Sequence, residues 1–266
     1  MRRQLSFIGN NGLDAVRADA QFCVEHGFEG LEFNYWANFE QLERSTVEAT
    51  KAILDEYAVT CVMFGIWGWN HLAPDAEERA KSHAMLQKAI EFGEILEADI
   101  LTTGGGTNGD DLDANVAEFA AVFPPFLTEI ASRGMVPSFY PLHGNSFFTS
   151  IEAYEKVWET FPEVGIKFDP ANWRNHGDDY LDVLRRYGNK VTHLHIKEHL
   201  CHGGELVSQP AAGMGDIEWG KVFAFLYEHD YSGPISIEPH GPIWSRGEMR
   251  ERMLLLTQRH ISQFLI

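Results

Sequence analysis

Residues able to do acid–base or metal chemistry collect in the second half of the sequence, each at the end of a short apolar run. One run ends Phe168-Asp169-Pro170-Ala171-Asn172-Trp173. The next reads Val191-Thr192-His193-Leu194-His195-Ile196-Lys197-Glu198-His199, and the last reads Pro234-Ile235-Ser236-Ile237-Glu238-Pro239-His240. An earlier run leads into Tyr140-Pro141-Leu142-His143-Gly144-Asn145, and one near the start holds Gly30-Leu31-Glu32-Phe33-Asn34. If these runs are strands, a period of two puts His193, His195 and Lys197 on one face and Ser236, Glu238 and His240 on another. Two imidazoles and an ammonium on one buried face need polar partners, which argues for the mouth of a site. Asp169, His195 and Glu238, with His143 beside them, make a mixed O and N ligand set with open positions for one divalent ion. Mn2+ is the leading expectation, and Mg2+, Co2+ and Zn2+ suit the same donors. Such an ion polarises a carbonyl or an adjacent hydroxyl pair and stabilises an enediolate. The set holds no thiolate, unlike the usual structural zinc site. Blander roles stay open: an Asp before Pro also caps turns, and Lys197 can simply pair with Glu198 or Glu238.

The elements that must position these residues are eight short apolar runs: Leu5–Gly9, Gly30–Asn34, Thr60–Gly65, Ile100–Gly104, Val136–Tyr140, Val164–Asp169, Val191–Lys197 and Pro234–Pro239. Helical patterns lie between them, over Asp14–His26, Asp75–Leu96, Ala114–Arg133, Ser150–Phe161, Asp178–Tyr187 and Trp219–His229. Asp75 is a predicted N-cap, and Gly27, Gly134 and Gly188 are predicted left-handed C-caps. The tail after Glu248 is predicted helical to Ile266 and closes the structure. Eight strand–helix units of roughly 33 residues predict an α/β fold, a single (β/α)8 TIM barrel over residues 1–266. An open doubly wound sheet is the alternative, but the first strand runs into Gly9-Asn10-Asn11-Gly12 without the dinucleotide glycine pattern. Gly104-Gly105-Gly106 lacks the Lys-Ser/Thr of a phosphate loop. In a barrel the active site forms at the C-terminal ends of the strands, where the polar residues above fall.

Other residues fall at the same end. Asn172 and Lys197 are candidates to bind substrate oxygens, and Lys197 to stabilise enediolate charge. His193 sits deeper, where it either orients ligands or touches substrate. Glu32 either binds a hydroxyl or pairs with an internal base, and His240 either contacts substrate or lines the rim. Trp67, in Gly65-Ile66-Trp67-Gly68-Trp69-Asn70-His71, offers a stacking face for a sugar ring or closes the barrel top. Trp36, Trp173 and Trp244 fall in similar loops. The stretch Cys201–Gly215 is either a lid or a long connection.

Composition narrows the partners. Thirty-nine acidic against twenty-one basic residues give a net charge of −18, which opposes a nucleic-acid partner and an anionic membrane surface. Three scattered cysteines, Cys23, Cys61 and Cys201, read as reduced thiols of a cytoplasmic chain. The N-terminus has two arginines but no apolar segment of a signal peptide, and no stretch of about 18 apolar residues predicts a membrane span.

Four pieces in order resemble the xylose-isomerase-like TIM-barrel superfamily of sugar isomerases and epimerases. They are Gly27-Phe28-Glu29-Gly30-Leu31-Glu32, Phe168-Asp169-Pro170-Ala171-Asn172, His193-Leu194-His195-Ile196-Lys197-Glu198 and Ser236-Ile237-Glu238. Gly213-Met214-Gly215-Asp216-Ile217 also resembles a loop of that family. The resemblance implies a metal-dependent isomerase or epimerase acting on a small keto-sugar, polyol or keto-acid. It also implies a carbohydrate substrate and a homo-oligomer. Relatives usually hold the metal with Glu, Asp, His and Glu, of which Asp169, His195 and Glu238 carry over. Pro141 stands where the first Glu would be, so His143 becomes the candidate fourth ligand or general base. Losing that carboxylate also removes one of the paired acid–base groups of the epimerases. That opens a lyase or dehydratase reading, and a non-catalytic sugar- or partner-binding barrel as a further alternative.

Overall fold

The computed structural model describes residues 4–140 and 145–265. His143, with Pro141, lies outside the described residues. Eight strands close into an all-parallel barrel in the order β1, β10, β7, β6, β5, β4, β3, β2. They are β1 (Leu5–Ile8), β2 (Gly30–Tyr35), β3 (Thr60–Ile66), β4 (Ile100–Thr103), β5 (Val136–Phe139), β6 (Gly165–Phe168), β7 (Val191–Ile196) and β10 (Ile235–Ile237). Between β7 and β10 the chain adds an antiparallel hairpin, β8 (Leu200–His202) and β9 (Glu205–Ser208). Gly203 and Gly204 both take positive φ at its tip, which a two-residue hairpin turn of this hand requires. β1 pairs with β2 on one side and β10 on the other, so the barrel has no exposed edge.

The strands read as near-continuous apolar runs because a barrel strand is buried on both faces. Asp75 caps the helix Ala76–Ile95 by accepting from Glu77 N and Glu78 N. Gly27 and Gly134 take the expected left-handed conformation. Gly188 does not: its φ is −58°, and it opens a 3-10 turn instead. Glycine is needed there because a Cβ would fall 2.4 Å from the His229 ring. The helix expected over Ala114–Arg133 divides into Leu112–Val122 and Pro124–Ser132, since Pro124 starts a new helix at its first position. The C-terminal helix Gly247–Ile261 gives way to a 3-10 turn over Ser262–Phe264. Arg250 on that helix pairs with Asp19 and donates to the Ile8 carbonyl, tying the last helix to the first strand. Among the described residues, no helix is long and apolar enough to cross a membrane.

Candidate active site

Among the described residues, Asp169, His195, Lys197 and Glu238 lie at one mouth of the barrel, with Glu32 and His193 just below it. Asp169 follows β6 and caps the short helix Pro170–His176, its Oδ1 accepting from Ala171 N and Asn172 N. Its other oxygen, Oδ2, faces inward and takes the Tyr140 hydroxyl at 2.8 Å and the Lys197 ammonium at 2.6 Å. Turn capping and site chemistry are thus two jobs of one carboxylate. Lys197 also reaches Glu238 at 3.2 Å, and Glu238 reaches His195 Nδ1 at 2.8 Å. Lys197 therefore pairs with Asp169 and Glu238. Glu198 faces away and accepts N–H bonds from His199, Gly213, Ile217 and the Trp219 indole.

Beneath this layer lies a second one. Glu32 is fully buried and accepts from His193 Nε2 at 2.7 Å, His195 Nε2 at 2.7 Å, Lys167 at 3.0 Å and Asn34 at 2.6 Å. β2 does not neighbour β6 or β7, so these bonds cross the barrel interior. Glu32 and His193 have no exposed surface and are not among the residues lining the pocket; both lie against His195. Burial alone would raise the Glu32 carboxyl, but His195, Lys167 and His193 outweigh it and hold it well below the usual carboxylate range. Burial pushes His193 down to about 4, so it is neutral. Burial would lower His195 as well, but Glu32 prevails and raises it. Lys197 is raised against its burial by Asp169 and Glu238, while Glu238 is held ionised against its own by Lys197 and His195. Burial and Asp169 keep Tyr140 protonated and able to donate.

The pocket above has a volume of about 550 Å³. Trp67, Asn172, Lys197, Glu238 and His240 line it, joined by Trp36 from the loop after β2 and by Leu206 and Gln209 from the hairpin strand β9 and just beyond. The Cys201–Gly215 stretch thus forms one wall of the pocket. Trp173 is fully buried and packs on Phe168 and Tyr154. Trp244 faces a separate shallow groove with Leu206 and Ile243. Glu238 is the one carboxylate among the described residues lining the pocket, and its side chain is 14% exposed against 5% for Lys197 and 0% for Asp169.

Donor atoms of Asp169, His195 and Glu238 lie within 4.8 Å of one another. The ammonium of Lys197 already sits between the two carboxylates, so their spacing accepts a cation. The Nε2 of His195 is committed to Glu32, which leaves Nδ1 on the Glu238 side, the arrangement a ligating imidazole needs. This donor set fits a divalent ion.

Sequence reasoning missed Lys167, Tyr140, Asn34 and Asn175. Lys167 precedes Asp169 by two residues on the same strand line, and its ammonium lies 4.5 Å from the Tyr140 ring centroid and 4.8 Å from that of Trp67. Strand periodicity carried one residue further back would have found it.

The xylose isomerase-like TIM barrel family model matches residues 20–259. The chain belongs to this family. An inosose dehydratase of Clostridium perfringens is 26% identical over 115 residues, covering 37% of this chain and 39% of that protein. The chain thus spans about two fifths of the length of the curated relatives it matches. Among solved structures, D-allulose 3-epimerase from Methylomonas sp. in complex with D-allulose superposes with a TM-score of 0.79 at 17% identity, over 98% of this chain and 97% of that one. The IolI protein with a bound zinc atom gives 0.77 at 14% identity, over 99% and 98%. At these identities the likeness of the two structures is one of fold.

Proposed function

We propose that this protein is a metal-dependent isomerase or epimerase acting on a small keto-sugar or a related polyol or keto-acid through an enediolate. The observation that carries this reading is Glu238, an ionised carboxylate on the pocket wall between His195 and Lys197. Asp169, His195 and Glu238 would hold the ion, Mn2+ first and Mg2+, Co2+ or Zn2+ as alternatives. Bound there, it would supply a Lewis acid to polarise the substrate carbonyl. Glu238 accepts the proton from the carbon next to that carbonyl. Lys197 faces the enediolate charge, held in place by Asp169 and the Tyr140 hydroxyl. Asn172 donates to the Tyr140 oxygen and fixes that hydroxyl on the pocket floor. Trp67 and Trp36 give the sugar C–H face an aromatic surface. His143 remains a proposed fourth ligand or base.

With His143 as a ligand and Glu238 as the single base, the proton returns to the face from which it was taken. That suits a shift between neighbouring carbons better than inversion at one carbon, which needs groups on both faces. The same feature, with the likeness to inosose dehydratase, supports a second reading in which an acid expels a hydroxyl from the enediolate and water is lost. The test is metal content of wild type and Asp169→Ala, followed by keto-sugars and keto-inositols in deuterium oxide. About one ion per chain, lost in the variant, with deuterium entering beside the carbonyl, supports enediolate chemistry. Recovery of an isomer favours the first reading and an unsaturated product the second. No metal and no exchange with any substrate would reject both.

A further inference from the structure

A second group of ligand-type side chains lies outside the barrel mouth. His199 and Cys201 flank Leu200 at the start of the hairpin, so an extended backbone turns both to one side. The Sγ of Cys201 lies 3.4 Å from His199 Nδ1. Nε2 of the same ring faces Asn175 Oδ1 at 3.0 Å. An amide oxygen only accepts, so Nε2 carries the hydrogen and the Nδ1 lone pair points at the sulfur. Asp216 completes the group from the far end of the excursion. It is pinned twice: its N–H donates to the His199 carbonyl at 2.9 Å, and its Oδ2 accepts from Cys201 N at 2.7 Å. One donor atom from each of the three lies within 4.8 Å of the others.

We infer that His199, Cys201 and Asp216 form a second metal site, taking a divalent ion of zinc-like softness in addition to anything bound at the barrel mouth. An N–metal–S angle near tetrahedral with ordinary zinc bond lengths puts the two donors about 3.6 Å apart, close to the spacing found. The ring is pre-oriented by a hydrogen bond at its other nitrogen, as ligating imidazoles are. The carboxylate sets the group apart from a plain thiol–imidazole pair. Binding replaces the Cys201 thiol proton, which leaves to solvent, with a sulfur–metal bond. Asp216 is exposed and Cys201 half-buried, so water reaches the fourth position. The ion would join residues 199 and 201 to residue 216 and close the loop that carries the hairpin. That hairpin supplies Leu206 and Gln209 to the pocket wall, so the second ion would set the wall's position without touching substrate.

Cobalt distinguishes the two sites, because only this one contains sulfur. Metal-free wild type, Asp169→Ala, Cys201→Ala and His199→Ala, each checked for native circular dichroism, are titrated with Co2+. Asp169→Ala, with the barrel-mouth site removed, is expected to develop a sulfur-to-cobalt charge-transfer band that saturates at one equivalent, wild type to develop the same band complete within two equivalents, and Cys201→Ala and His199→Ala to lose it. The idea is overturned if wild type and Asp169→Ala develop no such band. It is equally overturned if the band survives in Cys201→Ala, which would assign it to Cys23 or Cys61. The outcome does not depend on the reaction proposed above, since neither turnover nor the barrel-mouth ligands enter the readout.

Discussion

At the scale of single residues, the site is two layers of charge in which each carboxylate has cationic partners. In the function proposed above, the upper layer does the chemistry and the lower one holds it in place. Replacing Glu238 with Gln keeps the shape and removes the proposed base, so solvent proton exchange should fall about 10²- to 10⁴-fold. A variant that exchanges at the wild-type rate would rule Glu238 out as the base. Glu32→Gln acts differently. It leaves Lys167 buried without its anion and frees His195 Nε2, so urea unfolding should show a loss of about 3–5 kcal/mol. Glu32→Gln combined with Lys167→Met removes both charges and should recover most of that loss. A double variant no more stable than the single one would mean that the pair is not the cause.

At the scale of elements, Glu198 decides how the excursion after β7 is held. Its carboxylate is fully buried and accepts four N–H groups, three of them from Gly213, Ile217 and the Trp219 indole at the far end of the excursion. Glu198→Gln turns one acceptor oxygen into a donor that faces other donors. The expected cost is about 3 kcal/mol, concentrated locally. Amide exchange should accelerate at Gly213 and Ile217, and proteolysis at the hairpin tip should rise, before the barrel strands change. Unaltered exchange at both amides would show that the hairpin is anchored by other contacts.

At the scale of the molecule, buried neutral histidines set a limit on acid stability. Burial and neighbouring His83 push His71 down to about 3, against an ordinary value of 6.5, and His193 is lowered in the same direction. Between those values the unfolded chain binds protons that the folded chain refuses. Stability is therefore complete above about pH 6.5 and is lost as the pH falls toward 3. Each such group should cost on the order of 2 kcal/mol between pH 7 and pH 5. Urea midpoints at the two pH values measure it, and His71→Gln should flatten the dependence. A pH dependence that is the same in wild type and in His71→Gln would contradict the neutral assignment of His71.

The sequence by itself determined the barrel and the end at which the candidate site residues gather. Strand burial on both faces leaves short apolar runs, helices between them leave a longer period, and polar residues at the run ends mark the mouth. It also carried Asp169, His195, Lys197 and Glu238, because a period of two is enough to place side chains on a face. Only the tertiary structure decided who meets whom. Glu32 lies more than 130 residues from Lys167 and His195, and their contact exists because closure of the barrel brings β2 opposite β6 and β7. The same holds for Asp216, which reaches His199 and Cys201 only after the hairpin has folded out and the chain has come back. Local pattern encodes which way a side chain points; the distance across a closed sheet is set by strand number and register, which no single segment contains.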